Sequence, residues 1–303
     1  MLDPKTKITL TLAVIFAGLG LLLIFSFQNS GKFRFITCDV GQGDGMLLVS
    51  PSGKQIVVDG GPGTKITDCL SANMPFWDRT VELVVATHAQ KDHMEGLLEV
   101  LSRYKVKMIA TTKVNNGSEL YRAWEKAVKE EKAKVYVAKK GDQIILDHQQ
   151  GPTLKQGQTL SMDVLWPPFA KASEGGPSTE QWWERPPRDL NEAAIVLRAN
   201  YGGFCAYLTA DIPKETLQNL IDRKCQVLKV AHHGSKSGTN QEVLNEVSPR
   251  LAIIQVGKNS YGHPTKEVIG LLTSNSVKIL RNDTNGIIEI TSDGNSFKAK
   301  SEK

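Results

Sequence analysis

The chain has 303 residues, 40% of them apolar and 23% charged, with 26 Gly and 13 Pro. That composition excludes wholesale disorder, a collagen-like fibre and a multi-span membrane protein, and it leaves enough apolar material for a real core. The net charge of +5, from 37 basic and 32 acidic side chains, tolerates an anionic substrate but is too mild to imply nucleic acid by itself.

The first predicted element is an apolar run of 20 residues, Ile8 to Phe27, and no Asp, Glu, Lys or Arg occurs from Ile8 to Gly31. At about 1.5 Å per residue, a helix of that length spans about 30 Å, the thickness of a bilayer core. A buried core helix would show a polar stripe, and here only Thr9, Thr11 and Ser26 interrupt the run. A cleaved signal peptide has a shorter apolar stretch and a small-residue cleavage site, and Phe25-Ser26-Phe27-Gln28-Asn29-Ser30-Gly31 makes a poor one. The reading is a single-pass membrane anchor within residues 1–31, followed by one soluble domain, 32–303. Lys5 and Lys7 before the run nearly balance Lys32 and Arg34 after it, so flanking charge leaves the orientation open.

In the body, strands are predicted at Phe33–Asp39, Met46–Val49, Gln55–Asp59, Val81–Ala86, Lys107–Ala110 and Lys134–Val137, with helices at His93–Tyr104 and Ser118–Lys132. After residue 150 come strands at Thr159–Leu165, Ala193–Ala199, Cys205–Thr209, Val227–Val230, Leu251–Gln255, Val277–Leu280 and Gly286–Thr291. Helices are predicted there at Lys214–Ile221, Gln241–Val247 and Thr265–Leu272. Strands outnumber helices and tight Gly turns join the early ones, which points to an antiparallel or mixed αβ arrangement rather than a purely doubly wound sheet. Pro167–Asp189 reads as a long loop. Its Trp182 and Trp183 fit a substrate lid, a membrane-facing surface, or a loop folded onto the core. Cys38, Cys69, Cys205 and Cys225 form no Cys-x-x-Cys pair, which excludes a zinc ribbon. Buried thiols on strands are expected, with two disulfides as the alternative outside the cell.

Histidine is scarce: His88, His93, His148, His232, His233 and His263 are all there are. Five of the six sit in short polar clusters after apolar strand-like runs, beside Asp, Gly or Pro, which is the pattern of a metal or acid–base site. In Val84-Val85-Ala86-Thr87-His88-Ala89-Gln90-Lys91-Asp92-His93, a strand delivers His88 and a tight loop then presents Asp92 and His93 at a helix start. Imidazole and carboxylate held together suit a hydrolytic divalent cation such as zinc or manganese. Tyr207-Leu208-Thr209-Ala210-Asp211 is another strand ending in a carboxylate, and one carboxylate can bridge two metals. Leu228-Lys229-Val230-Ala231-His232-His233-Gly234-Ser235 and Tyr261-Gly262-His263-Pro264 complete the series.

These clusters, in this order, resemble the metallo-β-lactamase superfamily, and within it the hydrolase domain of ComEC-type DNA-uptake proteins. The resemblance spans about residues 33–300. It is carried also by Asp39-Val40-Gly41-Gln42-Gly43-Asp44, Val58-Asp59-Gly60-Gly61-Pro62, Pro75-Phe76-Trp77-Asp78, Asn259–Pro264 and Arg281-Asn282-Asp283-Thr284-Asn285-Gly286. It implies a four-layer αβ/βα sandwich with a metal site at one edge. It further implies His88, Asp92 and His93 as ligands, Asp211 as the bridging carboxylate, and one of His232 and His233, with His233 preferred, completing the second site. Asp59 and Asp44 would orient ligands, and His232, Ser235, Tyr261 and His263 would face substrate, with Asp92, His232 and His263 as catalytic groups around a metal-activated water. Two positions depart from the pattern. Gln90 stands where the superfamily has His and the ComEC-type branch Asp, and Ala194 stands where that branch has Ser. Gln90 and Asn191 would be weak amide ligands, so one strong and one weak site are expected.

The function implied is a membrane-anchored, metal-dependent phosphodiesterase or nuclease acting on DNA, its domain outside the cytoplasm, with a separate DNA-uptake channel as a candidate partner. Two rival readings remain. One is an esterase on a lipid or surface-polymer headgroup, with Trp182 and Trp183 stacking on choline. The other is a metal-poor membrane scaffold, for which Gln90 and Ala194 are the evidence.

Overall fold

The computed structural model describes residues 31–112, 114–146, 159–167 and 187–303, and scattered positions between 3 and 20. Six strands come first: β1 (Phe33–Thr37), β2 (Gly45–Val49), β3 (Gln55–Gly60), β4 (Thr80–Ala86), β5 (Lys105–Thr111) and β6 (Lys134–Val137). β7 (Gln143–Ile145), β8 (Ser161–Trp166), β9 (Val196–Tyr201), β10 (Phe204–Leu208), β11 (Val227–Lys229), β12 (Leu251–Ile254) and β13 (Lys278–Arg281) follow, and β14 (Ile288–Ser292) and β15 (Phe297–Ser301) end the chain. One sheet has the order β15-β14-β1-β2-β3-β4-β5-β6 and the other β13-β12-β11-β10-β9-β8-β7. Both are mixed: β3 to β6 and β10 to β13 pair in parallel, and the other neighbours antiparallel.

Alternation along each strand builds the layers. Phe33 and Phe35 of β1 pack into the space between the sheets with Leu197, Ala199, Leu251 and Ile253. Ile36, one residue on, points to the outer face, where Ile66, Leu70, Leu97, Val100, Tyr121 and Trp124 cover it from three helices. These are α1 (Lys65–Asn73), α2 (Lys91–Arg103) and α3 (Glu119–Glu131). On the far side, Val243 and Leu244 of α4 (Gln241–Val247) and Val268 and Leu272 of α5 (Lys266–Ser274) cover Ala252 and Ile254 of β12. Two mixed sheets with helices outside them give the αβ sandwich that the resemblance implies.

Some expectations are corrected. The helix expected over Lys214–Ile221 is one turn, Lys214–Leu217, and α1 lies in a stretch read as having no helix. Cysteine was expected as buried thiol, but Cys38 is bonded to Cys69 and Cys205 to Cys225, and no cysteine is free. Cys69 lies on α1 rather than on a strand. Of the anchor, residues 5, 6, 9–14, 16, 18 and 20 are helical and 21–30 lie outside the described residues. Among the described residues no helix is long and apolar enough to cross a membrane. His148, Trp182 and Trp183 also lie outside the described residues.

Candidate metal centre

The chemistry-bearing residues gather at one edge of the sandwich, beyond the carboxyl ends of β3, β4, β10, β11 and β12, where parallel strands leave an open crevice. Asp59 comes from the end of β3, His88 from just after β4, and Asp92 and His93 from the first turn of α2. Asp211 follows β10, and His232 and His233 occupy a tight turn after β11. Asp59, Ala210, His232 and His233 all have positive φ, between 45° and 56°. Non-glycine residues adopt that backbone only where the surroundings enforce it, and such positions cluster at functional sites. Gly43 is required for a different reason: a Cβ there would lie 2.1 Å from the Asp92 carbonyl oxygen. That approach lets the Asp44 N–H donate to the same oxygen at 3.0 Å and clamps the loop before β2 onto the start of α2.

The hydrogen-bond network sets the histidine tautomers. His93 Nδ1 donates to Asp59 Oδ2 at 2.8 Å, and Asp59 is itself held by the Thr87 N–H at 2.8 Å and the Thr87 hydroxyl at 2.7 Å. His233 Nδ1 donates to the Gln255 carbonyl at 2.8 Å. In the neutral imidazoles each Nε2 then carries the lone pair. His93 Nε2 lies 3.4 Å from Asp211 Oδ2, and His233 Nε2 lies 3.2 Å from Asp211 Oδ2 and 3.3 Å from Asp92 Oδ2. Both Nε2 atoms are buried and make no hydrogen bond.

Lone pairs aimed at carboxylate oxygens at these distances need a positive charge between them. Asp92, His93, Asp211 and His233 each offer a ligand atom within 4.8 Å of the others, and two imidazoles with two carboxylates form a donor set that fits a divalent cation. The electrostatics agree. Burial opposes charge on Asp211, but His233 and His93 outweigh it and hold the carboxyl well below its ordinary range. Burial opposes charge on both imidazoles, but Asp211 and the neighbouring carboxylates together outweigh it and raise both well above the ordinary value. Asp92 is driven down to about 2, burial being overcome by the His233 hydrogen bond and the charge of His93. The cluster is built to accept positive charge.

His88 stands beside this group, its ring 4.1 Å from that of His93. Burial and the neighbouring His93 push it down to about 3, so it is neutral. Its Nδ1 lies 3.0 Å from the Thr87 hydroxyl, and its Nε2 faces Gln90 Oε1 at 3.2 Å. Asn191 is buried in a short 3-10 turn and its Oδ1 has no partner. The chain just after that turn is pinned beside His88 by the Ile195 N–H donating to the Thr87 carbonyl at 3.0 Å.

The geometry separates the two adjacent histidines. His233 is buried within the cluster, whereas the His232 side chain is 31% exposed with Nε2 4.0 Å from Asp211 Oδ2. The His263 ring lies 5.7 Å from that of His232, and the exposed Tyr261 ring lies 5.8 Å from His263. Burial and the charges of His232 and His233 lower the His263 pKa. Ser235 is buried and engages Ser237 at 2.9 Å, and Ser237 in turn reaches His232 Nδ1 at 3.4 Å.

No protein-family model matches the chain. ComE operon protein 3 of Bacillus subtilis is 30% identical over 293 residues, covering 89% of this chain and 34% of that protein. Recombination protein 2 of Haemophilus influenzae is 26% identical over 244 residues, 78% of this chain and 26% of that one. Competence protein ComA of Neisseria gonorrhoeae is 33% identical over 112 residues, 35% of this chain and 16% of that one. Among solved structures, the metallo-β-lactamase fold protein YhfI of Bacillus subtilis superposes with a TM-score of 0.53 at 12% identity, over 85% of this chain and 99% of that one. The chain is a metallo-β-lactamase-fold protein related to the competence proteins. It spans about a third or less of the length of the curated relatives it matches.

In this competence-protein relative, sequence reasoning missed one residue of consequence. Lys229 is completely buried, its ammonium paired with Asp44, donating to the Ala210 carbonyl at 2.9 Å and lying 3.8 Å from Asp211 Oδ1. Burial opposes charge on Asp44, but Lys229 together with His233 and His93 outweighs it and takes the carboxyl below its ordinary value. Thr87, Gln255 and Ser237, which orient His93, His233 and His232, were also passed over. Their signal was adjacency to the motifs, and only the fold shows which way they turn.

Proposed function

We propose that this chain is a membrane-anchored, metal-dependent phosphodiesterase acting on DNA, with its catalytic domain on the extracytoplasmic side. The observation that carries the reading is the pair of buried imidazoles, His93 and His233, whose Nδ1 atoms are engaged while both Nε2 atoms aim unpartnered at Asp211. Asp92, His93, Asp211 and His233 would hold one divalent cation, and His88, with the Gln90 and Asn191 amides, a second more weakly. Such a cation acidifies water and offsets charge on phosphoryl oxygens. Asp59 and Thr87 keep His93 oriented, and His232 and His263 line the open side, where a phosphate would be contacted. Zinc or manganese suits this donor set.

DNA is favoured because competence and recombination are the words in the relatives' names and because the body carries a modest positive charge. A separate DNA-uptake channel is the partner proposed. Two disulfides favour an oxidising compartment. Trp182 and Trp183, the residues behind the headgroup-esterase reading, are outside the described residues. The two unpartnered Nε2 atoms weigh against a metal-poor scaffold.

Elemental analysis of the purified chain beside an Asp211→Ala control is the test. One or two divalent ions per chain, lost in the control, and cleavage of single-stranded DNA dependent on zinc or manganese would support the reading. No bound metal, even with excess zinc or manganese, would overturn it.

A further inference from the structure

The edge opposite the metal centre carries an aromatic pair that the reaction does not use. Phe76 is 72% exposed and Trp77 53%, their rings edge to face at 4.8 Å. Single exposed apolar residues are ordinary; a packed Phe–Trp pair has a position to explain. Gln55 Nε2, at the start of β3, donates to Asp78 Oδ2 at 3.0 Å, which fixes this loop at the amino end of β3. Gly31, where the chain arrives from the apolar segment, donates its N–H to the Pro51 carbonyl at 3.2 Å, in the turn just before β3. Arg34, three residues on, reaches the Asn73 carbonyl at 3.1 Å, at the end of the helix preceding the pair. The aromatic pair and the point of arrival from the 20-residue apolar run therefore share one edge. Lys32 and Arg79 are exposed on it, and Asp78 is turned inward to Gln55 and to the Thr80 N–H.

We infer that this edge rests on the lipid surface, with Phe76 and Trp77 at headgroup depth. Tryptophan with an aromatic neighbour is what settles at a membrane–water interface, and exposed Lys and Arg add attraction to anionic lipid. The inference rests on the anchor reading and extends it: the anchor tethers the domain, and the aromatic pair orients it. Four steps along β3 from Gln55 to Asp59, at roughly 3.3 Å each, hold Asp59 about 13 Å from this edge. The metal centre then opens away from the bilayer, where a long polyanion can reach it without being pressed against anionic headgroups.

The test uses the full chain in vesicles of phosphatidylcholine and phosphatidylglycerol with brominated acyl chains. Subtracting the emission of Trp77→Phe from that of the wild type isolates Trp77 from the other tryptophans. The expected result is at least twofold quenching of that difference signal by brominated lipid. A difference signal untouched by brominated lipid but quenched by aqueous acrylamide would overturn the proposal. Flotation with the vesicles after an alkaline carbonate wash reads the anchor separately. A chain that floats with Trp77 unquenched refutes the resting edge alone, and a chain that does not float refutes the anchor and this proposal with it.

Discussion

The two halves of the candidate centre share Asp211 as a neighbour and draw their histidines from the same structural device, a strand that ends in a tight polar turn. In the His93–His233 half, both imidazoles are locked through Nδ1 and their free nitrogens face the carboxylates of Asp92 and Asp211. In the other half, His88 is neutral and buried, but the side chain facing its Nε2 is the Gln90 amide. Formal charge, more than placement, separates them. A carboxylate brings a full negative charge to a cation, whereas an amide oxygen brings only a dipole. On the two-position reading proposed above, one fold keeps the placement of both while the sequence sets their strengths apart.

The strongest way to break this comparison is to remove what both halves share. Asp211→Ala is expected to empty both positions and lower DNA cleavage by on the order of 10³-fold or more, with circular dichroism unchanged. Retained metal and rate would show that the centre lies elsewhere. Next comes the contrast between halves. His233→Ala should remove the tightly held ion, while His88→Ala should leave about one ion per chain, because a carboxylate-bearing set survives only in the second case. Equal losses would show that the halves are not distinct.

The residues gathered in the two halves were largely legible in the sequence, because each candidate ligand sits in a short polar cluster after an apolar run and Gln90 stands in plain view among them. Other features were hidden for physical reasons. In α1 the apolar residues Ile66, Cys69 and Leu70 are diluted by Lys65, Thr67, Asp68, Ser71 and Asn73, and Thr64 makes no side-chain cap, so neither periodicity nor a start signal stands out. The disulfides join residues 31 and 20 positions apart, and four cysteines allow three pairings that only the fold resolves. Lys229, within an apolar strand, reads as a solvent-facing break in the pattern. It is buried because Asp44, 185 positions earlier in the chain, is folded against it.

Lys229 gives the third test, now on stability. Lys229→Met leaves Asp44 buried without its counter-charge and the Ala210 carbonyl without its donor. Breaking one partner of a buried pair costs about 3–5 kcal/mol, to be read as a lower denaturant midpoint at unchanged slope. The carboxylate cluster would also lose an internal ammonium, so added metal should recover more stability in this variant than in the wild type. Equal recovery would show that Lys229 supports the backbone turn without balancing the cluster's charge.

The smallest expected effect, and the one that most sharpens the comparison, is Gln90→Asp. It gives the His88 half a carboxylate at a position already 3.2 Å from His88 Nε2. Two terms set its size. The new charge attracts a cation, strengthening the weak position by about tenfold. It also adds a negative charge near Asp92 and Asp211, which costs stability in the metal-free protein through like-charge repulsion. Both terms act in the same direction on one measurable quantity, the rise in unfolding temperature on adding zinc or manganese, which should be larger in the variant than in the wild type. A variant whose metal-free form is less stable but whose metal-induced rise is no greater would mean that the Gln90 side chain does not face the ion. In that case the weakness of this half comes from geometry and not from charge.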